Sequence, residues 1–387
     1  MFVAYFMSHY FIDHYFIDQG FAPHRGAMLW VGTAKALRRP IWSLIAALVL
    51  AWPATAADLP GEAAALVMRL AADGPALVTQ IDFPELRDVA RAGRSVPMKL
   101  HLPQTAASAP LVILSHGAGG SRDANFAQSH HLASHGYAVL ALEHPGSATA
   151  RLLAGGRYLD NLRDMTRDAD EVLGRPRDVS FALDMAARWQ ASHPAMQGRL
   201  DLTRVAVMGH SFGAYTALVA CGARPARDWL VPVVAPGQGL VSDLADARVK
   251  ACVALSPQGP GAPFFTEASY ASLNRPVLGI TGSADQPQGG GSSQTRRRAF
   301  ELAPPGGQWL VWLANAEHSA FSDPTRSGRR GLPSTTRADA QPISRAATLA
   351  FLDLQLRGRT EMALLLTEVG LRPLLRGRID AVEVLHK

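Results

Sequence analysis

A serine, an aspartate and a histidine spread over the second half of the chain have the residue types and local settings for acyl transfer. Ser211 lies in "VAVMGHSFGAYTAL" (205–218), where four apolar residues run into Gly209-His210-Ser211-Phe212-Gly213 and a helix-like stretch follows. A Gly-x-Ser-x-Gly match alone is weak. Between a buried-strand run and a helix it has mechanical meaning, because the glycines allow a tight turn that leaves the serine hydroxyl at its tip. The helix N-terminus behind Ser211 favours developing negative charge. An ordinary glycine-rich loop is the alternative reading.

A serine hydroxyl needs a base, and the base needs an orienting acid. Downstream of Ser211 only His318 and His386 remain. His386 is the penultimate residue and is expected to fray, so His318 in "NAEHSAF" is the candidate base. Asp285 follows the strand-like run "VLGIT" (277–281) and leads as the acid. Asp243 and Asp246 lie in a separate Pro/Gly-rich segment, while Glu317 and Asp323 flank His318 too closely to address its Nδ1 easily. The oxyanion of a tetrahedral intermediate needs two donors. They are assigned to the backbone N–H groups of Phe212 and of Ala118 in "LSHGAGGSR" (114–122), with Gly117 second. His116 and His210 are read as packing and hydrogen-bonding residues. Glu143 and His144 are adjacent on a strand end and point to opposite sides, which argues against a metal pair. Neither a metal nor a cofactor is implied.

These residues need a scaffold. Short runs that are apolar at nearly every position, "LVILS" (111–115), "YAVLALE" (137–143), "RVAVMG" (204–209), "ACVALS" (251–256), "VLGIT" (277–281) and "WLVWL" (309–313), suit strands buried on both faces of a parallel sheet. Helical stretches lie between them at 125–136, 175–190, 214–223, 294–303 and 342–358, with another at 61–74 and a strand at 95–103. Gly136 and Gly358 stand where helix C-caps belong. The alternation predicts a single α/β domain over 57–387 with a mostly parallel, doubly wound sheet and helices on both faces. Residues 224–247, rich in Pro and Gly, interrupt it as a flap-like insertion over the sheet's C-terminal edge.

The chain has 387 residues, 48% of them hydrophobic and 18% charged, with a net charge of +6. The basic run Arg296-Arg297-Arg298 is short and lacks an aromatic platform, so it reads as a solvated face and no nucleic-acid partner is expected. The diffuse positive charge is compatible with transient contact with an anionic membrane surface. Cys221 and Cys252 are the only cysteines; one disulfide and two separate buried thiols both remain open.

Near the N-terminus, Lys35, Arg38 and Arg39 precede the apolar run "IWSLIAALVLAW" (41–52), and small residues at Ala54 and Ala56 follow. This is the pattern of a secretory signal peptide over 28–56, and it predicts a periplasmic or secreted protein. The run is short for a membrane span. Residues 1–27, with the repeat "HYFIDHYFID", lie ahead of that pattern and are expected to be a non-native extension with Met28 as the start.

Taken together, "LSHGAGGSRDANF", "LASHGYAVLALEHPGSA", "RPRDVSFALD", "GHSFGAYTAL", "ITGSADQ" and "AEHSAF" resemble bacterial α/β-hydrolases of the platelet-activating-factor acetylhydrolase type, also labelled dienelactone hydrolase-like, over roughly 80–355. Dienelactone hydrolases use a cysteine where this elbow carries Ser211. The resemblance implies an α/β-hydrolase fold and a serine esterase without metal. Ser211, Asp285 and His318 would form its triad, with Phe212 and Ala118 as oxyanion donors and a small-molecule or lipid ester as substrate. A serine peptidase or thioesterase on the same triad, and a non-catalytic binding protein with this fold, are the other readings.

Overall fold

The computed structural model describes residues 61–387, apart from 106, 235, 288, 289 and 325–332. The expected extension (1–27) and signal peptide (28–56) lie outside the described residues. Nine strands form one sheet, in the order β1-β2-β4-β3-β5-β6-β7-β8-β9. In chain order these are β1 (Val78–Phe83), β2 (Met98–Pro103), β3 (Ala109–Ser115), β4 (Ala138–Leu142), β5 (Leu200–His210), β6 (Val249–Leu255), β7 (Val277–Ala284), β8 (Gln308–Glu317) and β9 (Val382–His386). Strands β4, β3, β5, β6, β7 and β8 pair in parallel, whereas β1, β2 and β9 join antiparallel at the two edges.

The helices are α1 (Gly61–Ala71), α2 (Phe126–Ser134), α3 (Thr149–Leu153), α4 (Tyr158–Met165), α5 (Ala169–Ser192), α6 (Phe212–Ala220), α7 (Gln294–Leu302), α8 (Arg337–Arg357) and α9 (Glu368–Leu371). The sheet's pleat sends successive side chains to opposite faces. Leu111, Ile113, Val205 and Val207 join one core with residues of α5, α6 and α7. Val112, Leu114, Ala206 and Met208 join the other with α1, α2 and α8. Helices therefore cover both faces, which is why the central strands are apolar throughout rather than alternating. Gly358 ends α8 in the left-handed region at φ 67°, a C-cap that glycine adopts without strain.

Several elements differ from expectation. Strands β1 and β9 and the short helices α3, α4 and α9 have no counterpart in the apolar pattern. His386 does not fray: it lies in β9, paired with Trp309, and its ring stacks on that indole at 4.0 Å. Segment 224–247 packs Leu230 and Val241 into the α5 side of the core, and Val231 bridges to Asp168 at the start of α5. Cys221 and Cys252 form a disulfide that ties the end of α6 to β6. Among the described residues no helix is long and apolar enough to cross a membrane.

Candidate active site

Strand β5 ends at His210, and the chain turns into α6 through a single residue, Ser211, at φ 55° and ψ −118°. That is a region an L-residue occupies only under strain, at a cost of roughly 1–3 kcal/mol. The turn is held from both sides. Ser211 N–H donates to the Leu255 carbonyl at 3.0 Å, and Gln258 Nε2 donates to the Ser211 carbonyl at 2.8 Å. The flanking glycines are steric requirements. A Cβ at Gly209 would stand 2.3 Å from the backbone of Gly213, and one at Gly213 only 1.9 Å from the Ser115 carbonyl oxygen.

Because β5, β7 and β8 run parallel, their C-terminal ends open on the same rim of the sheet. His318 starts the helical turn His318–Phe321 after β8, and Asp285 follows β7 directly. His318 Nε2 lies 3.0 Å from Ser211 Oγ, and Nδ1 lies 2.8 Å from Asp285 Oδ1. Thr281 donates to the other carboxylate oxygen at 2.8 Å. Asp285 is fully buried, which alone would push its carboxyl up, but His318 and Arg296 outweigh burial and hold it down to about 2. It is therefore ionised at neutral pH and accepts the Nδ1 proton, leaving Nε2 free to accept one from the serine. His210 packs its ring 4.8 Å from that of His318 and bonds the His318 carbonyl at 3.0 Å. Burial holds the His210 imidazole down to about 3, so it packs as a neutral ring.

The Phe212 and Ala118 amides belong to α6 and to the loop after β3, and both residues line a cavity of about 350 Å³ together with Ser211 and His318. Among the described residues, neither N–H is taken by another backbone group. The rest of the wall comes from Leu159 and Arg163 of α4, from Thr166 and Arg167, from the 258–264 segment, and from Pro287, Thr295 and Arg296. Among the described residues, 224–247 contributes no lining. Its Leu230 and Val241 pack into the core, and Val231 N–H donates to the carbonyl of the lining residue Arg167 at 2.8 Å. No group of three or more His, Cys, Asp or Glu side chains is placed to hold a metal ion among the described residues.

The chain matches the family model of the alpha/beta hydrolase fold over residues 110–276, a span that includes Ala118 and Ser211 and ends before Asp285. With that match, the order and direction of the strands and the serine at the β5–α6 turn agree. The chain has the α/β-hydrolase fold. A platelet-activating factor acetylhydrolase of Cavia porcellus is 30% identical over 150 residues, 32% of this chain and 34% of that protein. One of Canis lupus familiaris is 30% identical over 139 residues, 29% of this chain and 31% of that protein. An alpha/beta hydrolase of Penicillium citrinum is 30% identical over 149 residues, 38% of this chain and 26% of that protein. The chain thus spans about a third or less of the length of these relatives.

Within this α/β-hydrolase fold, one functional side chain escapes a reading of the sequence. Arg296 is not part of a solvated face: it is 4% exposed, and its Nε lies 2.7 Å from Asp285 Oδ1. It also donates to the carbonyls of Asp285, Ser256 and Pro257. Its Nη2 comes within 3.1 Å of His318 Nδ1. With the Nδ1 proton directed at Asp285, the guanidinium braces the acid and the edge of the ring without donating to the ring. Arg297 is half-buried over the Trp312 ring and pairs with Glu383, while the more exposed Arg298 pairs with Glu267 and Glu301. Three consecutive arginines conceal which one turns inward. The signal was helical spacing, since Arg296 shares a face of α7 with the buried Ala299.

Proposed function

We propose that this protein is an exported serine hydrolase that cleaves short-chain acyl esters through an acyl-enzyme. The observation that carries the reading is the unbroken chain from Ser211 Oγ through His318 to Asp285, at 3.0 and 2.8 Å, opening on a cavity. Ser211 Oγ attacks the ester carbonyl while His318 Nε2 takes its proton. Asp285 stabilises the imidazolium, and the Phe212 and Ala118 amides receive the oxyanion. The tetrahedral intermediate collapses, the C–O bond to the alcohol breaks, and the proton held on Nε2 goes to the departing alkoxide. Water then gives a proton to His318 and attacks the acyl group, and Ser211 recovers its proton as the acid leaves.

Several observations favour a small ester. A cavity of about 350 Å³ is near the lower end of the roughly 300–1,000 Å³ usual for ligand pockets. Its wall includes Leu159, Ala262, Pro263 and Phe264, which suit an acyl chain. The relatives named for acetyl hydrolysis point the same way. Export is supported by the leader-like pattern at 28–56 and by the Cys221–Cys252 disulfide, a bond that persists in oxidising compartments.

Initial rates on p-nitrophenyl esters from acetate to octanoate, for wild type and Ser211→Ala, test the proposal. Wild-type turnover that peaks at short chains, and a fall of roughly 10⁴-fold or more in the variant, are expected. Equal slow rates from both proteins, with no labelling of Ser211 by a fluorophosphonate, would overturn it.

A further inference from the structure

One motif has no part in the triad: "RPRDVSFALD", which lies within α5. Its first arginine, Arg175, is completely buried. Burial pulls its guanidinium down to about 10, so it stays a cation at neutral pH. A buried cation of this kind is retained only where its donors are used. Here they reach two separate parts of the site.

On one side Arg175 Nη2 donates to the His116 carbonyl and, at 3.0 Å, to Ser115 Oγ, so it grips the end of β3 and the loop that carries Ala118. On the other, Nε donates at 3.1 Å to Thr216 Oγ1, one turn into α6, and the guanidinium lies 4.2 Å over the Phe212 ring. Nη1 donates at 2.9 Å to Ser147, whose hydroxyl bonds Glu171 at 2.5 Å. Two further motif residues, Pro176 and Asp178, support the same junction. Pro176 cannot donate to Val172 four residues back, and the freed carbonyl accepts Tyr215 Oη of α6 at 2.8 Å. Asp178 accepts from His144 Nδ1 at 2.7 Å, and His144 Nε2 meets Ser115 Oγ at 3.0 Å. The His144 N–H donates to His116 Nε2 at 3.0 Å, which leaves His116 Nδ1–H to bond the Gly117 carbonyl at 2.6 Å. Every peptide leading to the Ala118 amide is thereby fixed from behind.

We infer that Arg175 is a positioning residue for the oxyanion hole: one buried guanidinium holds the loop carrying Ala118 in register with the α6 turn carrying Phe212. The inference rests on the proposed roles of those two amides. An oxyanion bound between two elements needs their separation held to a fraction of an ångström; Gly213 packs directly on the Ser115 and His116 backbone, and Arg175 adds side-chain hydrogen bonds that tie the loop to α6.

Arg175→Lys keeps the charge but cannot reach Thr216, Ser147 and the His116 carbonyl at once. Arg175→Met removes both charge and fork. Steady-state kinetics on p-nitrophenyl acetate and hydrogen–deuterium exchange over 115–121 and 211–216, measured on folded protein, decide the matter. In Arg175→Lys, kcat is expected to fall about 10²-fold, the scale of one lost oxyanion donor, with KM within threefold. Inhibition by a trifluoromethyl ketone should weaken in parallel, because its adduct is tetrahedral, and exchange should rise in both segments. Arg175→Met should show the same split with a lower Tm. A kcat within threefold of wild type in Arg175→Lys, or a loss entirely in KM with exchange unchanged, would overturn the inference. If wild type itself neither hydrolyses esters nor takes a fluorophosphonate, the proposed function has failed. Exchange in Arg175→Lys alone then decides whether Arg175 fastens the two segments.

Discussion

Gly213→Ala puts a single methyl group where no side chain can yield. Its Cβ would stand 1.9 Å from the Ser115 carbonyl oxygen, 2.7 Å from the Ser115 carbonyl carbon and 3.1 Å from the His116 oxygen, all backbone atoms. Contacts under 3.0 Å essentially never occur, so α6 and the end of β3 must part by at least about 1.1 Å. Overpacking of this kind costs roughly 1–3 kcal/mol, less than the roughly 5–15 kcal/mol that holds a domain folded. The variant should therefore fold, with Tm lowered by several degrees. Activity should suffer far more. The separation opens between the two elements carrying Ser211 and Phe212 on one side and Ala118 on the other, and a 1 Å misplacement costs about 10²-fold in rate. Initial rates on p-nitrophenyl acetate, normalised to folded protein by circular dichroism, should fall about 100-fold or more. Gly61→Ala, where the new Cβ meets nothing within 4 Å among the described residues, is the control and should match wild type. Rates for folded Gly213→Ala within threefold of wild type would refute the steric account of the elbow.

Two further outcomes follow from buried groups. Asp285 is held at about 2 in the fold against an ordinary 3.8, so the stability it contributes is present above pH 3.8 and is lost as pH falls through about 2. Arg296→Gln leaves that carboxylate short of a cation and should destabilise the protein by about 3–5 kcal/mol at pH 7. The gap to wild type should narrow between pH 3.8 and 2 in urea melts, whereas a gap unchanged down to pH 2 would count against the pairing. The Cys221–Cys252 disulfide closes a loop with a sequence separation of 31. Cys221→Ser/Cys252→Ser should lower stability by about 3–4 kcal/mol on loop-entropy grounds. A reducing agent should lower the wild-type midpoint and leave the double variant unmoved, and a wild type indifferent to reduction would contradict the pairing.

What could be read without the fold depended on local signals. The central strands were legible because a strand covered by helices on both faces is apolar at nearly every position, as "LVILS" and "VAVMG" are. Edge strands carry no such mark. In β1, "VTQIDF", no residue is fully buried, and β9, "VEVLH", alternates with charge. In segment 224–247 Pro and Gly announce irregular backbone without saying what it covers.

For the site, the sequence by itself determined the parts and their order: a serine at a strand-to-helix turn, then an acid and a histidine each just past a strand. Ser211 and His318, 107 residues apart, meet because parallel strands deliver their C-terminal ends to one rim, a consequence of topology rather than of either segment. Only the tertiary structure decided which arginine of 296–298 turns inward, what Arg175 and Asp178 support, and that His386 is pinned in an edge strand. Hydrophobic periodicity reports which face of an element is buried. It can place a charge on a buried face, as with Arg296, but it does not name the partners, which are whichever distant carbonyls and carboxylates the packed fold brings within hydrogen-bonding reach.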